Sequence, residues 1–309
     1  MKIFSGSSNP EFAGNVAKQV GVGLSKCEII RYTNSECKVT VMEDVIGEDC
    51  IVVQSTCNPT DEHIMELLFF VDALRRGEAK SITCVLPYFG YAKQNFQHRP
   101  GEAVSVEVVI KMLESIGTTR IVTYDIHDEG TKGVFTVPFD HLSAFGILAK
   151  SIKEEIGIDN LKHVVIVSPD QGGVERAREF SQILFPSELS EIAVVEKHRD
   201  PNKMNEIVPV GFYGNVKDKI AVIVDDMIVS GGTMRPAVEL CRSHGAKKVY
   251  IAVTHPDFSI DAPKKLQDLQ VDKIIISNTI PLRSEQKFVG LQIDDVSHET
   301  AKLLRSLYE

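Results

Sequence analysis

The chain reads as an α/β protein built from two similar doubly wound parallel-sheet domains, and three observations predict it. Short β-branched runs alternate with longer amphipathic stretches along most of the length, the grammar of βαβ units. The runs are apolar at every position rather than every second one, as in IAVIV at 220–224, which marks strands covered on both faces. The order of elements also repeats. DCIVVQS (49–55), a helix over 61–76 and AKSITCVLPYF (79–89) are answered by DKIAVIVDD (218–226), a helix over 234–244 and AKKVYIAVTHPDF (246–258). RIVTYDIH (120–127) has its counterpart in KIIISNTIP (273–281), so one unit is present twice.

Taken in order, the elements place a first domain at 1–143 and a second at 144–297, with the change of domain inside 140–147. A short amphipathic helix at 298–309 closes the chain and is expected to pack back on the first domain. The first strand–helix unit has no phosphate cradle at 54–59. In the second domain, VVIVS leads to SPDQGG (168–173), and AVVEK leads to the polar stretch EKHRDPNKMNEIVP (196–209), which lacks a period and is expected to be an irregular loop. After it comes the most informative run, IAVIVDDMIVSGGT (220–233). Asp225 and Asp226 are placed at the end of its strand. Ser230, Gly231, Gly232 and Thr233 then form a turn into a helix. Glycines allow close backbone approach, and a helix N-terminus offers unpaired N–H groups and partial positive charge, so the turn suits phosphate. A Walker loop needs a lysine after its glycines and a dinucleotide fingerprint needs GxGxxG; neither occurs here. Carboxylates ahead of a phosphate cradle suit a sugar phosphate, whose hydroxyls they would hold.

A length of 309 residues, 43% apolar and 25% charged, suffices for two domains with their own cores. A net charge of −9 argues against a general nucleic-acid or anionic-membrane binder. Phosphate must therefore be met by local cations or metal. MKIFSGSS has no signal-peptide core and no apolar run is of membrane-spanning length. Six cysteines without a CxxC pair read as free thiols in a reducing cytoplasm.

The 220–233 run resembles the ribose-5-phosphate loop of phosphoribosyltransferases and PRPP synthetases, and the fold is expected to be of the phosphoribosyltransferase type. FSGSSNPEFA (4–13), MELLFFVDALRR (65–76), PYFGYAKQ (87–94), DIH, SPDQGG and VDDMIVSGGT together resemble the PRPP synthetase (ribose-phosphate diphosphokinase) family over nearly the whole chain. The resemblance implies transfer of the β,γ-diphosphoryl group of MgATP to the C1 hydroxyl of ribose 5-phosphate. It assigns Lys197 and Arg199 to a catalytic loop. Tyr32, Asn34, Ser35 and Glu36 of a hairpin, with Lys93 and Gln94, are assigned to ATP. Asp225, Asp226, Val229, Ser230, Gly231, Gly232 and Thr233 are assigned to ribose 5-phosphate, and His127 and Asp170 to Mg²⁺. Oxygen is the usual Mg²⁺ ligand, so Asp170 suits the ion better; His127 could instead bond a phosphate oxygen. In family members a neighbouring subunit supplies the hairpin, which implies a homo-oligomer.

Five site residues depart from the family pattern: Lys93 stands for Arg, Asn95 for Asp, Val229 for a polar residue, Ser230 for Thr and Tyr32 for Phe. These departures keep two alternatives in view, a non-catalytic regulatory subunit and, more distantly, a phosphoribosyltransferase. Lys132 and His141 stand where many members place Gln and Asn of a second anion site. Separate-site inhibition by ADP is accordingly expected to be weak or absent, while these two residues add positive or titratable charge to the region.

Overall fold

The computed structural model describes residues 1–186, 191–199 and 207–308, with backbone alone for 197–199 and 207–210. In chain order the first elements are β1 (Lys2–Ser5), α1 (Pro10–Val20), β2 (Cys27–Arg31), β3 (Cys37–Val41), β4 (Asp49–Val53), α2 (Thr60–Arg76), β5 (Ser81–Leu86), α3 (Ser105–Ile116), β6 (Arg120–Tyr124) and β7 (Phe139–Leu142). Then come α4 (Phe145–Ile156), β8 (Val164–Ser168), α5 (Val174–Leu184), β9 (Ile192–Arg199), β10 (Ile207–Tyr213), β11 (Ile220–Ile228) and α6 (Met234–Ser243). The last are β12 (Lys248–Pro256), α7 (Ala262–Gln267), β13 (Lys273–Ser277), β14 (Leu291–Asp294) and α8 (Ser297–Tyr308).

These form two compact units. Unit 1 comprises Met1–Ser143, Thr279–Pro281 and Asp295–Glu309; unit 2 comprises Ala144–Asn278 and Leu282–Asp294. The sheet of unit 1 is wholly parallel, in the order β1-β4-β5-β6-β7. That of unit 2 runs β10-β9-β8-β11-β12-β13-β14 and is parallel except where β9 meets β10. The internal repeat is therefore real: β1-β4-β5-β6-β7 and β8-β11-β12-β13-β14 are one order used twice. Each copy also carries a hairpin between its first helix and its second strand, β2–β3 in one and β9–β10 in the other.

Both faces of each sheet are covered, as the uninterrupted apolar runs require. In unit 1, Val52, Cys84, Leu86 and Ile121 pack under Leu67, Phe70 and Leu74 of α2 and Ile110 and Leu113 of α3. In unit 2, Val167, Ile223, Ile251 and Ile276 pack under Val238 and Cys241 of α6 and Leu266 of α7. The remaining faces are closed by an exchange. Helix α8 follows the last strand of unit 2 yet packs against α1 in unit 1, and α4 follows the last strand of unit 1 yet packs against α5 in unit 2.

A buried tyrosine secures one of these exchanged helices. Tyr124, fully buried on β6, donates to the Val296 carbonyl at 2.7 Å and accepts from the Thr300 N–H at 3.1 Å. Burial pushes its hydroxyl pKa up, so it stays a donor. Tyr124→Phe strips both buried partners and is expected to cost about 1–3 kcal/mol, read as a lowered urea midpoint at unchanged slope. Among the described residues there is no disulfide and no helix long and apolar enough to cross a membrane.

Candidate active site

Strand β11 outruns one of its neighbours. β8 pairs with it only from Ile220 to Ile223, whereas β12 stays paired as far as Ile228. The sequence places Asp225 and Asp226 at the strand's end; instead the strand continues through both to Ile228, because the backbone ladder to β12 is indifferent to side-chain polarity. The carboxylates thus lie beyond the reach of β8, on an edge open to one side. Even so they are only 6% and 1% exposed.

Two buried carboxylates need a cation, and the structure supplies one that the motif does not contain. The turn Gln171–Gly173 leads straight into α5, whose first turn bears Arg176. Arg176 Nη2 lies 3.3 Å from Asp225 Oδ1 and 3.2 Å from Asp226 Oδ1. Burial works against the guanidinium charge, but Asp226, Asp225 and Asp170 outweigh it and raise its pKa. Burial, then the Asp226 charge, holds the Asp225 carboxyl well above the ordinary range, with Arg176 opposing. One cation shared by the pair keeps a proton readily available to it.

The next turn is shaped for an anion. Gly231 has φ +72°, a conformation open to glycine at little cost. Ser230 Oγ accepts from the Gly232 N–H at 3.3 Å, and the Val229 carbonyl accepts from the Ser259 N–H at 2.9 Å. Helix α6 then begins after Thr233 with no side-chain cap, but the sequence expectation of unpaired first-turn N–H groups is not met. Met234 N–H and Arg235 N–H donate to the Gly231 carbonyl at 3.1 and 3.2 Å and Pro236 has no N–H, so an anion would be met by the turn at 230–233 rather than by the helix. Val229 is 36% exposed and brings only methyl groups to the turn. Asp170 follows β8. Its Oδ1 accepts from the Gly173 N–H at 3.1 Å, and its carbonyl accepts from Ser168 Oγ at 2.6 Å.

The stretch expected to be an irregular loop is partly a hairpin. Arg199, His198 and Lys197 of β9 pair with Ile207, Val208 and Pro209 of β10, so only the tip, 200–206, lies outside the described residues. The side chains of Lys197 and Arg199 lie outside them as well. A polar edge ladder needs no apolar period, and a register shift between Pro209 and Gly211 accommodates the proline. Glu196 ties this hairpin to the Asp170 turn: it accepts from Gln171 Nε2 at 3.1 Å and from the Tyr213 hydroxyl at 2.8 Å.

In unit 1, Tyr32, Asn34, Ser35 and Glu36 form the exposed turn joining β2 to β3. Asn34 Oδ1 accepts from the Glu36 N–H at 3.2 Å, which leaves its amide N–H groups for a ligand. Arg31, at the base of the turn, bonds Glu66 of α2 at 3.1 Å. Glu66 is fully buried and also accepts from Ser7 N at 2.7 Å, Ser7 Oγ at 2.7 Å and Gln54 Nε2 at 2.8 Å. Gln54 fills the strand end that in unit 2 leads to the phosphate turn: a Cβ on Gly6 would fall 2.1 Å from its Oε1. Lys93 and Gln94 are exposed, and Ser105 Oγ donates to Gln94 Oε1 at 2.7 Å. His127 follows β6 and is half-buried.

His141 corrects one expectation. Its Nε2 accepts from the Ile126 N–H at 2.9 Å, while Nδ1 lies 3.0 Å from Glu129 Oε1. Burial, then Lys132, pushes its pKa down to about 4. It is a neutral imidazole near neutrality and offers no cation there. Lys132 is itself paired with Glu129.

The family model for the N-terminal domain of ribose phosphate pyrophosphokinase matches residues 1–117, and that for the phosphoribosyl synthetase-associated domain matches 160–309. The ribose-phosphate pyrophosphokinase of Bacillus subtilis is 38% identical over 287 residues, 93% of this chain and 87% of that one. The chain belongs to the ribose-phosphate pyrophosphokinase family. The relative of that name from Wolinella succinogenes is 36% identical over 99% of this chain and 96% of its own. The crystal structure of phosphoribosylpyrophosphate synthetase from Mycobacterium smegmatis superposes with a TM-score of 0.91 at 34% identity, covering 99% of this chain and 98% of that one.

Ribose-phosphate pyrophosphokinases are kinase-type enzymes that generally need a metal ion. Among the described residues no three His, Cys, Asp or Glu side chains converge as a ligand cluster. Magnesium commonly takes only one or two carboxylates and completes its shell with water and substrate phosphate. Asp170, half-buried with one oxygen on a backbone N–H, fits that role. The imidazole of His127 is less suited to so hard an ion.

Proposed function

We propose that this chain transfers the β,γ-diphosphoryl group of MgATP to the C1 hydroxyl of ribose 5-phosphate, giving PRPP and AMP. The observation that carries the reading is the junction of the Asp225–Asp226 pair, which shares Arg176, with the Ser230–Thr233 turn ahead of α6, in a chain of this family. The C1 oxygen attacks the β-phosphorus and gives up its hydroxyl proton to water, the bond from that phosphorus to the α-phosphate oxygen breaks, and AMP leaves with that oxygen.

Each group has work suited to its surroundings. The turn at Ser230–Thr233, through its backbone N–H groups and the Ser230 and Thr233 hydroxyls, holds the 5-phosphate against the net negative charge of the protein. Asp225 and Asp226 accept from ribose hydroxyls, and Gly231 and Gly232 let the sugar approach the backbone. Val229 contributes shape alone. Lys197 and Arg199, on β9 beside the 200–206 tip, lay positive charge on the reacting phosphates, where positioning and electrostatics supply most of the rate. Lys197→Ala is expected to lower kcat on the order of a hundredfold while leaving ribose 5-phosphate affinity nearly unchanged; single-turnover rates and calorimetric titration separate the two.

Tyr32 stacks on adenine, with Asn34, Ser35 and Glu36 contacting the nucleoside and Lys93 and Gln94 the triphosphate. We assign this hairpin to a site shared between copies in a homo-oligomer. Asp170 and His127 are the residues assigned to the magnesium that arrives with ATP, which draws charge from the phosphate oxygens when bound. A reducing cytoplasm suits six cysteines without a disulfide framework.

The test is AMP release from MgATP with and without ribose 5-phosphate, with PRPP identified by mass. AMP that depends on the sugar and matches PRPP in amount supports the reading. A folded, ATP-binding protein that forms neither overturns it.

A further inference from the structure

Outside the machinery described above, one polar bond joins two segments of unit 1 that follow different strands. Asn95 lies after β5, next to Gln94 and two residues from Lys93; Asp128 lies after β6, next to His127. Asn95 Nδ2 donates to Asp128 Oδ2 across 33 residues of chain, in a half-buried setting. The other oxygen, Asp128 Oδ1, accepts from the Gly130 N–H at 2.8 Å and opens the helical turn Glu129–Val134. Both carboxylate oxygens are thus met by donors within unit 1. Lys93 itself is exposed and has no ion pair with a described residue, so its reach depends on what holds the backbone beside it.

We infer that Asn95 and Asp128 are a positioning pair, fixing the Lys93–Gln94 segment relative to the His127 turn so that both present to one polyphosphate. The inference rests on the ATP-binding reading of those residues. Its physical content is directional. A bond from a neutral amide to a carboxylate is charge-assisted, and it works only while one partner donates and the other accepts. A second carboxylate at position 95 would face Asp128 with no donor between them and drive the two segments apart.

That polarity can be reversed, which gives the test. Asn95→Asp is expected to raise KM for ATP about tenfold, with KM for ribose 5-phosphate unchanged. Adding Asp128→Asn restores the bond in the opposite sense: Asn at 128 donates to Asp at 95 and keeps its oxygen for Gly130. The double variant is expected to return within about twofold of the parent. Affinity for a non-hydrolysable ATP analogue is measured calorimetrically on all four proteins, alongside their thermal midpoints. Analogue affinity that follows the cycle supports the pair even where no AMP forms, in which case the proposed reaction falls and the pairing stands. Midpoints that follow the cycle while analogue affinity does not would make the bond purely structural and overturn the inference. So would a double variant no better than Asn95→Asp, or an Asn95→Asp protein that binds the analogue like its parent.

Discussion

Asparagine at position 225 is expected to give a protein that is more stable and nearly inactive. Asp225 is 6% exposed, shares Arg176 with Asp226, and has its pKa raised first by burial and then by the neighbouring charge. A carboxyl whose folded-state pKa exceeds the unfolded one contributes stability that is fully present below the unfolded value. That contribution is lost as pH rises through the folded value. At neutral pH the native protein therefore carries an electrostatic cost that asparagine removes, leaving one carboxylate for one guanidinium. The gain should be roughly 1–2 kcal/mol. It should shrink toward zero as pH falls to the ordinary carboxylate value of 3.8, where Asp225 is protonated anyway. Urea unfolding of the free protein across that window, without nucleotide or metal, measures it. Activity moves the other way: loss of the charge aimed at the sugar should lower kcat/KM for ribose 5-phosphate on the order of a thousandfold. A variant both less stable and less active would show that Asp225 holds the fold together rather than storing cost for function.

Glu66→Gln should be the most destabilising conservative change in unit 1. Four donors converge on that buried carboxylate: Ser7 N, Ser7 Oγ, Gln54 Nε2 and Arg31 Nη2. An amide turns one acceptor oxygen into a donor facing donors, and it leaves Arg31 without its buried counter-charge. Breaking a buried ion pair from one side costs about 3–5 kcal/mol. Arg31 has a second partner, Glu62, at 3.3 Å with a side chain 48% exposed, and Glu62→Gln should cost under about 1 kcal/mol. The contrast in denaturant midpoint separates burial from charge pairing as the cause. Because Arg31 stands at the base of the Tyr32–Glu36 turn, Glu66→Gln should also raise KM for ATP more than KM for ribose 5-phosphate. Equal shifts in both would mean that the hairpin is held by its ladder alone.

What the sequence made legible was whatever depends on neighbours in the chain. The parallel strands show in unbroken apolar runs, the repeat in recurring strings, and the phosphate turn in Ser230 to Thr233 followed at once by a helix. Arg176 escaped because its meaning arises only when α5 and β11 are set side by side, 49 residues apart in the chain. A helix beginning directly after SPDQGG with an arginine in its first turn was the available signal. Glu66 escaped for a similar reason. In MELLFF it reads as the polar face of an amphipathic helix, and its burial is imposed by residues 7, 31 and 54. The arms of the β9–β10 hairpin were hidden because an edge ladder satisfies backbone groups whatever the side chains are.

The exchange of α4 and α8 has a consequence for heredity. Each sheet takes the helix that closes it from the end of the other repeat, so a cut between α4 and β8, after residue 156, frees two pieces that each lack a wall. Neither half can be dropped, swapped with a paralogue or transplanted alone, although each looks like a module. After such a duplication the two copies are bound to a common fate. One can drift in its loops, as residues 54–59 differ from the phosphate turn, but the chain evolves as a single indivisible gene product.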